Sequence, residues 1–302
     1  MTAPAAGHHR TTVAVGYDGS EAAKEAVRWT AQYAAAADYK IRVIHAWVWP
    51  MFTKKLGPVR GVEGSGLRHA AEATLAEGVD VARTALAAAR TAARAPAAAD
   101  STETAHDVEG LMETGLPAPV LRDGAGDARL LVISSRGLGA VLGHVAGSVC
   151  LELAGSSPCP LMVIRHMRSP GQAAGPVVVG VDGTSRSSAA LAGAARLAAL
   201  LGATLQVVHI DQTRGKAREG HGRHARHGQE LLDHALEDAR KLAPELSISG
   251  VLREGHAASK ELLAAAGDAE VLVIGTHNRE GGPGNTVTAV LNKARCNVLI
   301  TR

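Results

Sequence analysis

The chain contains the same series of motifs twice, and this duplication limits its architecture more than any other feature. Near the N-terminus, Val13-Ala-Val-Gly-Tyr-Asp18-Gly-Ser20 is matched later by Val177-Val-Val-Gly-Val-Asp182-Gly-Thr184. Three further pairs follow in the same order: Val43-Ile44-His45 with Val207-Val208-His209, 125–133 with 266–274, and 159–165 with 296–302. Because the order is kept as well as the residues, the sequence predicts two copies of one fold.

The chain length agrees with two copies. At about 150 residues per domain, 302 residues correspond to two domains. Between the copies, Ser169-Pro-Gly-Gln-Ala-Ala-Gly-Pro176 has the composition of a linker. We therefore predict a first domain over residues 1–168, a linker over 169–176 and a second domain over 177–302.

Short β-branched runs alternate with long alanine-rich segments in both halves. The runs predict strands at 12–16, 41–48, 105–113, 129–134 and 161–165, and again at 177–181, 204–210, 247–253, 271–275 and 297–301. Helices are predicted at 21–37, 186–201 and 228–243, the first of them capped by Ser20. Strands that alternate with helices are typical of an α/β fold with a doubly wound parallel sheet.

Composition argues against several classes of partner. Lys and Arg exceed Asp and Glu by only 32 to 29, and all seven aromatic residues precede Thr53, which disfavours a nucleic-acid partner. No membrane segment is expected, because no stretch reaches about 18 uninterrupted apolar residues. The N-terminus has no apolar signal-peptide core. The three cysteines form no C-x-x-C pair, so we expect a reducing, cytoplasmic environment.

A glycine-rich segment follows the fourth predicted strand. It runs Ser134-Ser-Arg-Gly137-Leu-Gly139-Ala-Val-Leu-Gly143-His-Val-Ala-Gly147-Ser148-Val149. Ligands of open parallel sheets bind beyond the carboxyl ends of the strands. Glycines let backbone N–H groups approach an anion, and a helix that opens at Gly147-Ser148 would favour phosphate there. A turn with Ser148 as helix cap explains the same residues without a ligand, so the segment alone leaves both interpretations open.

Two familiar phosphate motifs do not fit this segment. It has no lysine, which the G-x-x-x-x-G-K-[ST] loop requires. Gly137-x-Gly139 followed by Gly143 also departs from G-x-G-x-x-G, and it follows the fourth strand rather than the first. The sequence therefore indicates neither a P-loop NTPase nor a Rossmann-type dehydrogenase.

The same residues resemble the universal stress protein family in tandem form. Nucleotide-binding members of that family carry Gly-x2-Gly-x9-Gly-[Ser/Thr] after strand four and an Asp that ends strand one. Ser134-x2-Gly137-x9-Gly147-Ser148 keeps this spacing, with serine at the first position. The resemblance covers nearly the whole chain and implies strand order 3-2-1-4-5 in each domain, with pairing through the last strand. Residues 161–165 and 297–301 would then pair within one chain, while a homodimer of whole chains stays open.

The resemblance also implies a ligand, ATP with or without Mg²⁺, in the first domain. Asp18 and the backbone near Gly16 would contact adenine or ribose, and Ala46 would line the adenine face. The phosphates would be surrounded by Gly137, Gly147, Ser148 and Val149, with Ser134 at the altered position. Asp18 as a helix-opening turn without ligand remains the alternative.

The second copy departs from this pattern. Its loop shortens to Gly275-Thr-His-Asn278-Arg-Glu-Gly-Gly-Pro-Gly284-Asn285, and bulky Ile210 stands where the first copy has Ala46. We therefore expect nucleotide in the first domain alone and a structural or interaction role for the second.

No catalytic residue or metal site is identified. The run His221-Gly-Arg-His224-Ala-Arg-His227 is interpreted as a solvated basic loop that leads into a helix, rather than as a metal site. His45 and His209 are expected as hydrogen-bonded histidines of the fold, and Cys150 and Cys159 as small core residues. The sequence favours an ATP-binding stress-response regulator over an enzyme. Its alternatives are an interaction module without nucleotide and a slow ATP hydrolase.

Overall fold

A computed structural model describes residues 11–47, 65–93, 107–137, 146–168, 172–212, 221–276 and 282–302. Strands and helices alternate through these ranges, which confirms the α/β fold class. The first half contains β1 (Thr12–Gly16), α1 (Glu21–Ala37), β2 (Lys40–Trp47), α2 (Ser65–Ala93), β3 (Val108–Thr114), α3 (Pro117–Gly124), β4 (Leu130–Ser134), α4 (Ser148–Ser156) and β5 (Leu161–Ile164). The second half contains β6 (Val177–Val181), α5 (Ser185–Leu201), β7 (Leu205–Asp211), α6 (His221–Leu242), β8 (Ile248–Glu254), α7 (Ala258–Ala265), β9 (Val271–Gly275), α8 (Asn285–Lys293) and β10 (Asn297–Thr301).

Each half has its strands in the order 3-2-1-4-5. The order is β3-β2-β1-β4-β5 in the first half and β8-β7-β6-β9-β10 in the second. All pairs within a half are parallel, whereas β5 and β10 pair antiparallel with Met162 opposite Leu299. The two five-stranded units therefore join through their last strands into one ten-stranded sheet.

Helices cover both faces of the sheet. Alternation along β1 sends Val13 and Val15 into the apolar cluster beneath α1, α2, α5 and α6, and Ala14 into the cluster beneath α3, α4, α7 and α8. The chain therefore leaves β1 towards one face and β4 towards the other. A crevice forms at the carboxyl ends of these two neighbouring strands, where open α/β sheets hold their ligands.

One expectation for the second half is wrong. The run from His221 to His227 is the beginning of α6 and is not a loop. Gly222 lies inside this segment and Gly228 directly follows it, but helix propensity is a weak guide where packing decides. A Cβ at Gly228 would lie 3.3 Å from Leu252 and 3.5 Å from His209, so a small residue lets α6 approach the sheet.

Three other features of the sequence analysis can be compared with the described residues: a metal site, a membrane-spanning segment and the linker. The described ranges bring together no group of three or more His, Cys, Asp or Glu side chains that would hold a metal. Among the same residues, no helix is both long and apolar enough to cross a membrane. Part of the expected linker, residues 169–171, lies outside the described residues.

Candidate functional site

The crevice between β1 and β4 contains a cavity of about 480 Å³. All eight residues that the sequence nominated lie on its wall: Gly16, Asp18, Ala46, Ser134, Gly137, Gly147, Ser148 and Val149. Sequence reasoning did not nominate the other eight: Tyr17, Ile44, Pro117, Leu121, Ile133, Ser135, Arg136 and Cys150. The intervening loop residues 138–145 lie outside the described residues.

Asp18 holds the turn that opens α1. Its Oδ1 accepts hydrogen bonds from the backbone N–H of Ser20 at 3.0 Å and from the Ser20 hydroxyl at 2.6 Å. Ser20 in turn caps α1, because its Oγ accepts from the N–H of Ala23 at 3.1 Å. The expected cap is confirmed, and the helix-opening role of Asp18 is real whether or not a ligand also contacts the carboxylate.

Gly137 lies directly against Asp18. A Cβ built on Gly137 would stand 2.6 Å from Asp18 Oδ2, closer than a carbon and an oxygen can approach. A side chain at residue 137 would therefore require the Asp18 carboxylate to move. This contact joins the two strands of the crevice through their loops.

The N-terminus of α4 faces the cavity without a side-chain cap. The capping residue is Gly147, with extended φ −64° and ψ 157°, and no side-chain hydrogen bond closes this end among the described residues. The alternative of Ser148 as the cap is therefore wrong, since Ser148 is the first helical residue. The first N–H groups of a helix need partners, and the positive end of the helix dipole favours an anion there.

The described residues leave room for a side chain at Gly147. Among them, a Cβ at this position would meet only Ser135 O, at an ordinary 3.8 Å. The backbone angles also suit any residue. Gly147 lines the cavity, so a side chain at this position would occupy room in front of α4.

The hydroxyl of Ser134, the residue at the altered position of the motif, forms a hydrogen bond within its own loop. Its hydroxyl donates to Arg136 O at 2.6 Å. Serine thus closes the turn after β4 while its Cβ fits beside the cavity. The substitution is compatible with the shape of the loop.

The opposite wall of the cavity is apolar. Ile44 and Ala46 on β2, Leu121 on α3 and Ile133 on β4 line it. Between the two β2 residues, His45 turns away, and its Nδ1 lies 2.8 Å from Tyr17 O. The matching His209 Nδ1 lies 2.9 Å from Val181 O. The expected hydrogen-bonded role of both histidines in the fold is confirmed.

Cys150 lines the cavity, but its thiol stays protonated and is a poor nucleophile. Its side chain is 2% exposed, and burial raises the pKa of the thiol to about 12. A neutral thiol is a poor nucleophile. Cys150 and Cys159 are buried core residues as expected, and only the position of Cys150 in the first turn of α4 signals its place on the wall.

The second half has a cavity in the corresponding place. It measures about 530 Å³, so Ile210 lines the cavity without filling it. Asp182 repeats the turn of the first half, since its Oδ1 accepts from Thr184 N at 3.0 Å and Thr184 Oγ1 at 2.6 Å. Charged side chains of Arg186 and Asp211 lie on this wall. The two cavities thus differ in their lining rather than in their volume.

Comparisons with known proteins agree with this architecture. The sequence profile of the universal stress protein family matches residues 9–165 and again 174–302. Universal stress protein Rv1996 of Mycobacterium tuberculosis is 28% identical over 303 residues, which cover 96% of this chain and 94% of that protein. Universal stress protein Rv2005c of the same species is 28% identical over 302 residues, with 96% of each chain covered.

Solved structures share the same fold over the whole chain. The crystal structure of a universal stress protein from Archaeoglobus fulgidus superposes with a TM-score of 0.67 at 15% identity, covering 97% of this chain and 96% of that one. Both halves of the sequence match one family, and their order of strands is the same. The chain belongs to the universal stress protein family and carries its domain twice in tandem.

Proposed function

We propose that the first half of the chain binds ATP, with or without Mg²⁺, and that the protein acts as an ATP-binding stress-response regulator. The observation that carries the proposal is the convergence of all eight nominated residues on one cavity in front of the uncapped N-terminus of α4. Ligand cavities of this size, mostly apolar with a few placed polar groups, are typical of small-molecule sites.

The lining suits the parts of a nucleotide. The apolar wall around Ala46 offers a surface for the flat face of a base. Asp18 offers carboxylate oxygens that accept hydrogen bonds from ribose hydroxyls or a base amine. The backbone N–H of Gly147 donates to Ser135 O, whereas the N–H groups of Ser148 and Val149 in the first turn of α4 suit phosphate oxygens, which accept hydrogen bonds and carry negative charge.

A divalent cation would arrive with the nucleotide. Mg²⁺ in nucleotide sites is commonly held by phosphates together with one or two carboxylates and waters. In the described part of the chain no ready-made cluster of metal-ligating side chains exists. Asp18 is the carboxylate of the cavity wall that would be nearest to such a complex.

We propose a different role for the second half. The nucleotide occupies the first domain, residues 1–168, and the second domain, residues 177–302, serves as its structural partner after the linker 169–176. Ile210 in place of Ala46 and Asn285 in place of Ser148 change both ends of the second cavity. The antiparallel pairing of β5 with β10 keeps the two halves together.

Equilibrium dialysis of the full chain against ATP, followed by chromatography of the nucleotide, tests this function. The proposal expects saturable binding and recovery of unchanged ATP. Binding of neither ATP nor adenosine would overturn it in favour of an interaction module without nucleotide. Recovery of ADP or AMP that depends on protein concentration would instead identify a slow hydrolase.

A further inference from the structure

The second half of the chain contacts the backbone just before α4, at the end of the helix that we propose binds phosphate. Asn292 on α8 accepts, through Oδ1, a hydrogen bond of 3.2 Å from the backbone N–H of Ala146. Ala146 is 6% exposed and stands immediately before Gly147, the N-cap residue of α4. A side chain of one half therefore fixes the backbone in front of the other half's cavity.

The helix that carries Asn292 is held firmly across the junction. The Arg165 guanidinium Nη2 donates to the carbonyl of Leu291, the residue before Asn292. The backbone N–H of Arg165 donates to Asn297 Oδ1 at 2.8 Å. Val290 and Leu291 are fully buried. Asn292 is therefore presented by a backbone with little freedom to move.

The hydrogen bond from an arginine after the last strand of one half to a helix carbonyl of the other half, here called the clamp, occurs in both directions. In the alignment that pairs Cys159 with Cys296, Arg302 corresponds to Arg165, and Ala154 corresponds to Leu291. Arg302 Nη2 donates to Ala154 O at 3.3 Å, which repeats the first clamp with the halves exchanged. Both helices are thus fastened across the sheet in the same manner.

The asparagine contact is not repeated. In the same alignment Gly155 corresponds to Asn292, and Pro283 corresponds to Ala146. Glycine has no side chain to accept a hydrogen bond, and proline has no N–H to donate one. A Cβ on Gly155 would also lie 2.7 Å from the Cα of Gly282, so no longer residue fits there. Both partners of the contact are changed together in the reciprocal position.

We propose that Asn292 is a positioning residue through which the second half sets the phosphate-binding backbone of the first half, in one direction only. The inference rests on the proposed binding of ATP in the first domain. Asn292 acts through Ala146 and Gly147 and need not touch the ligand. Its hydrogen bond holds the entry to α4 in place before a phosphate arrives, so less ordering is required when the ligand binds. The second copy then assists binding in the first.

The test compares ligands with and without phosphate. N292A removes the acceptor for the Ala146 N–H, and the affinity for ATP should fall about five- to tenfold, as expected for one lost hydrogen bond. Adenosine does not use the α4 terminus, so its affinity should stay within about twofold of wild type. Hydrogen exchange at the Ala146 amide should accelerate in the ligand-free N292A variant. N292D, which retains an oxygen acceptor, should restore the protection of that amide.

R302M is the matched control, because it removes the symmetry-related clamp bond to Ala154 O and leaves Asn292 in place. It should lower the melting temperature and leave the ratio of ATP to adenosine affinity unchanged. If N292A alters ATP and adenosine affinity by the same factor, or leaves both unchanged, the positioning role is wrong while the proposed function stands. If wild type binds no ATP, both the proposed function and this inference are overturned.

Discussion

The Cα of Gly137 stands so close to Asp18 that a Cβ on residue 137 would lie 2.6 Å from the carboxylate Oδ2. Gly137 follows β4 and Asp18 follows β1, and these two strands are neighbours in the sheet. The contact therefore spans the crevice between the two loops, which leave the sheet towards opposite faces. The shape of the proposed site therefore depends on a missing side chain and on the position of one carboxylate.

Gly137→Ala should weaken ATP binding without unfolding the protein. The new methyl group would displace the end of the Asp18 side chain, which is able to rotate, rather than backbone. We expect about a tenfold loss of ATP affinity and little change in the urea midpoint. Gly284→Ala is the control, since no atom of the described residues lies within 4 Å of a Cβ there. Unchanged ATP affinity in the first variant would contradict the role given to this contact.

A pair of aspartate variants separates helix capping from ligand binding. Asp18→Ala and Asp182→Ala each remove an acceptor for a backbone N–H and a hydroxyl two residues later. Each should reduce the free energy of unfolding by about 0.5–2 kcal/mol, as for a lost cap. Only the Asp18 variant should lose ATP binding, by at least about tenfold. Calorimetric titration together with urea unfolding would show whether the two effects separate, and equal ATP loss in both variants would refute the assignment.

One residue of the apolar wall, at positions 46 and 210, can be exchanged between the halves. Ala46→Ile places the second half's residue in the first cavity, where its larger side chain would take up part of the space proposed for adenine. ATP and adenosine affinity should both fall about tenfold or more. Ile210→Ala makes the reverse change and should leave the affinity of the first site as it was. Retention of adenosine affinity in the first variant would show that the base does not lie against residue 46.

The buried thiols predict how stability changes at alkaline pH. Burial raises the pKa of Cys150 to about 12 and also raises the pKa values of Cys159 and Cys296. Above about pH 8.5 the unfolded thiols ionise while the folded ones keep their protons. The folded state then binds more protons, so stability is intact below that pH and falls as pH rises, by up to about 1.4 kcal/mol per thiol per pH unit.

Urea unfolding of wild type and Cys150→Ala between pH 7.5 and 10.5 would measure this loss. The variant starts less stable because the thiol leaves a small void, but its stability should decline less steeply with pH. Parallel pH profiles for the two proteins would contradict the attribution to Cys150.

Local patterns in the sequence predict most of the fold and the glycines that follow β4 in the site. Alternating Val and Ala mark β1 as a strand buried on both faces, and the repeat of that strand fixes a second copy. Glycine spacing after β4 nominates Gly137 and Gly147, and both line the cavity. These features depend on neighbours in sequence or on a motif repeated within the chain.

Contacts between distant segments are beyond such patterns. Nothing near Asn292 indicates that it meets Ala146, because the contact depends on how two helices cross beside the paired strands β5 and β10. The start of α6 is hidden for a similar reason. The sequence predicts a helix that begins at residue 228, whereas Gly228 lies inside α6 and close to β7 and β8. Residues such as Leu121 and Pro117, which line the cavity from α3, carry no motif at all.

The central claim is that one of the two copies binds nucleotide, and calorimetric titration of the full chain with ATP tests it most directly. We predict one ATP bound per chain, with affinity weakened in Ala46→Ile and retained in Ile210→Ala. Two ATP molecules bound per chain with equal affinity, or no ATP bound at all, would contradict it.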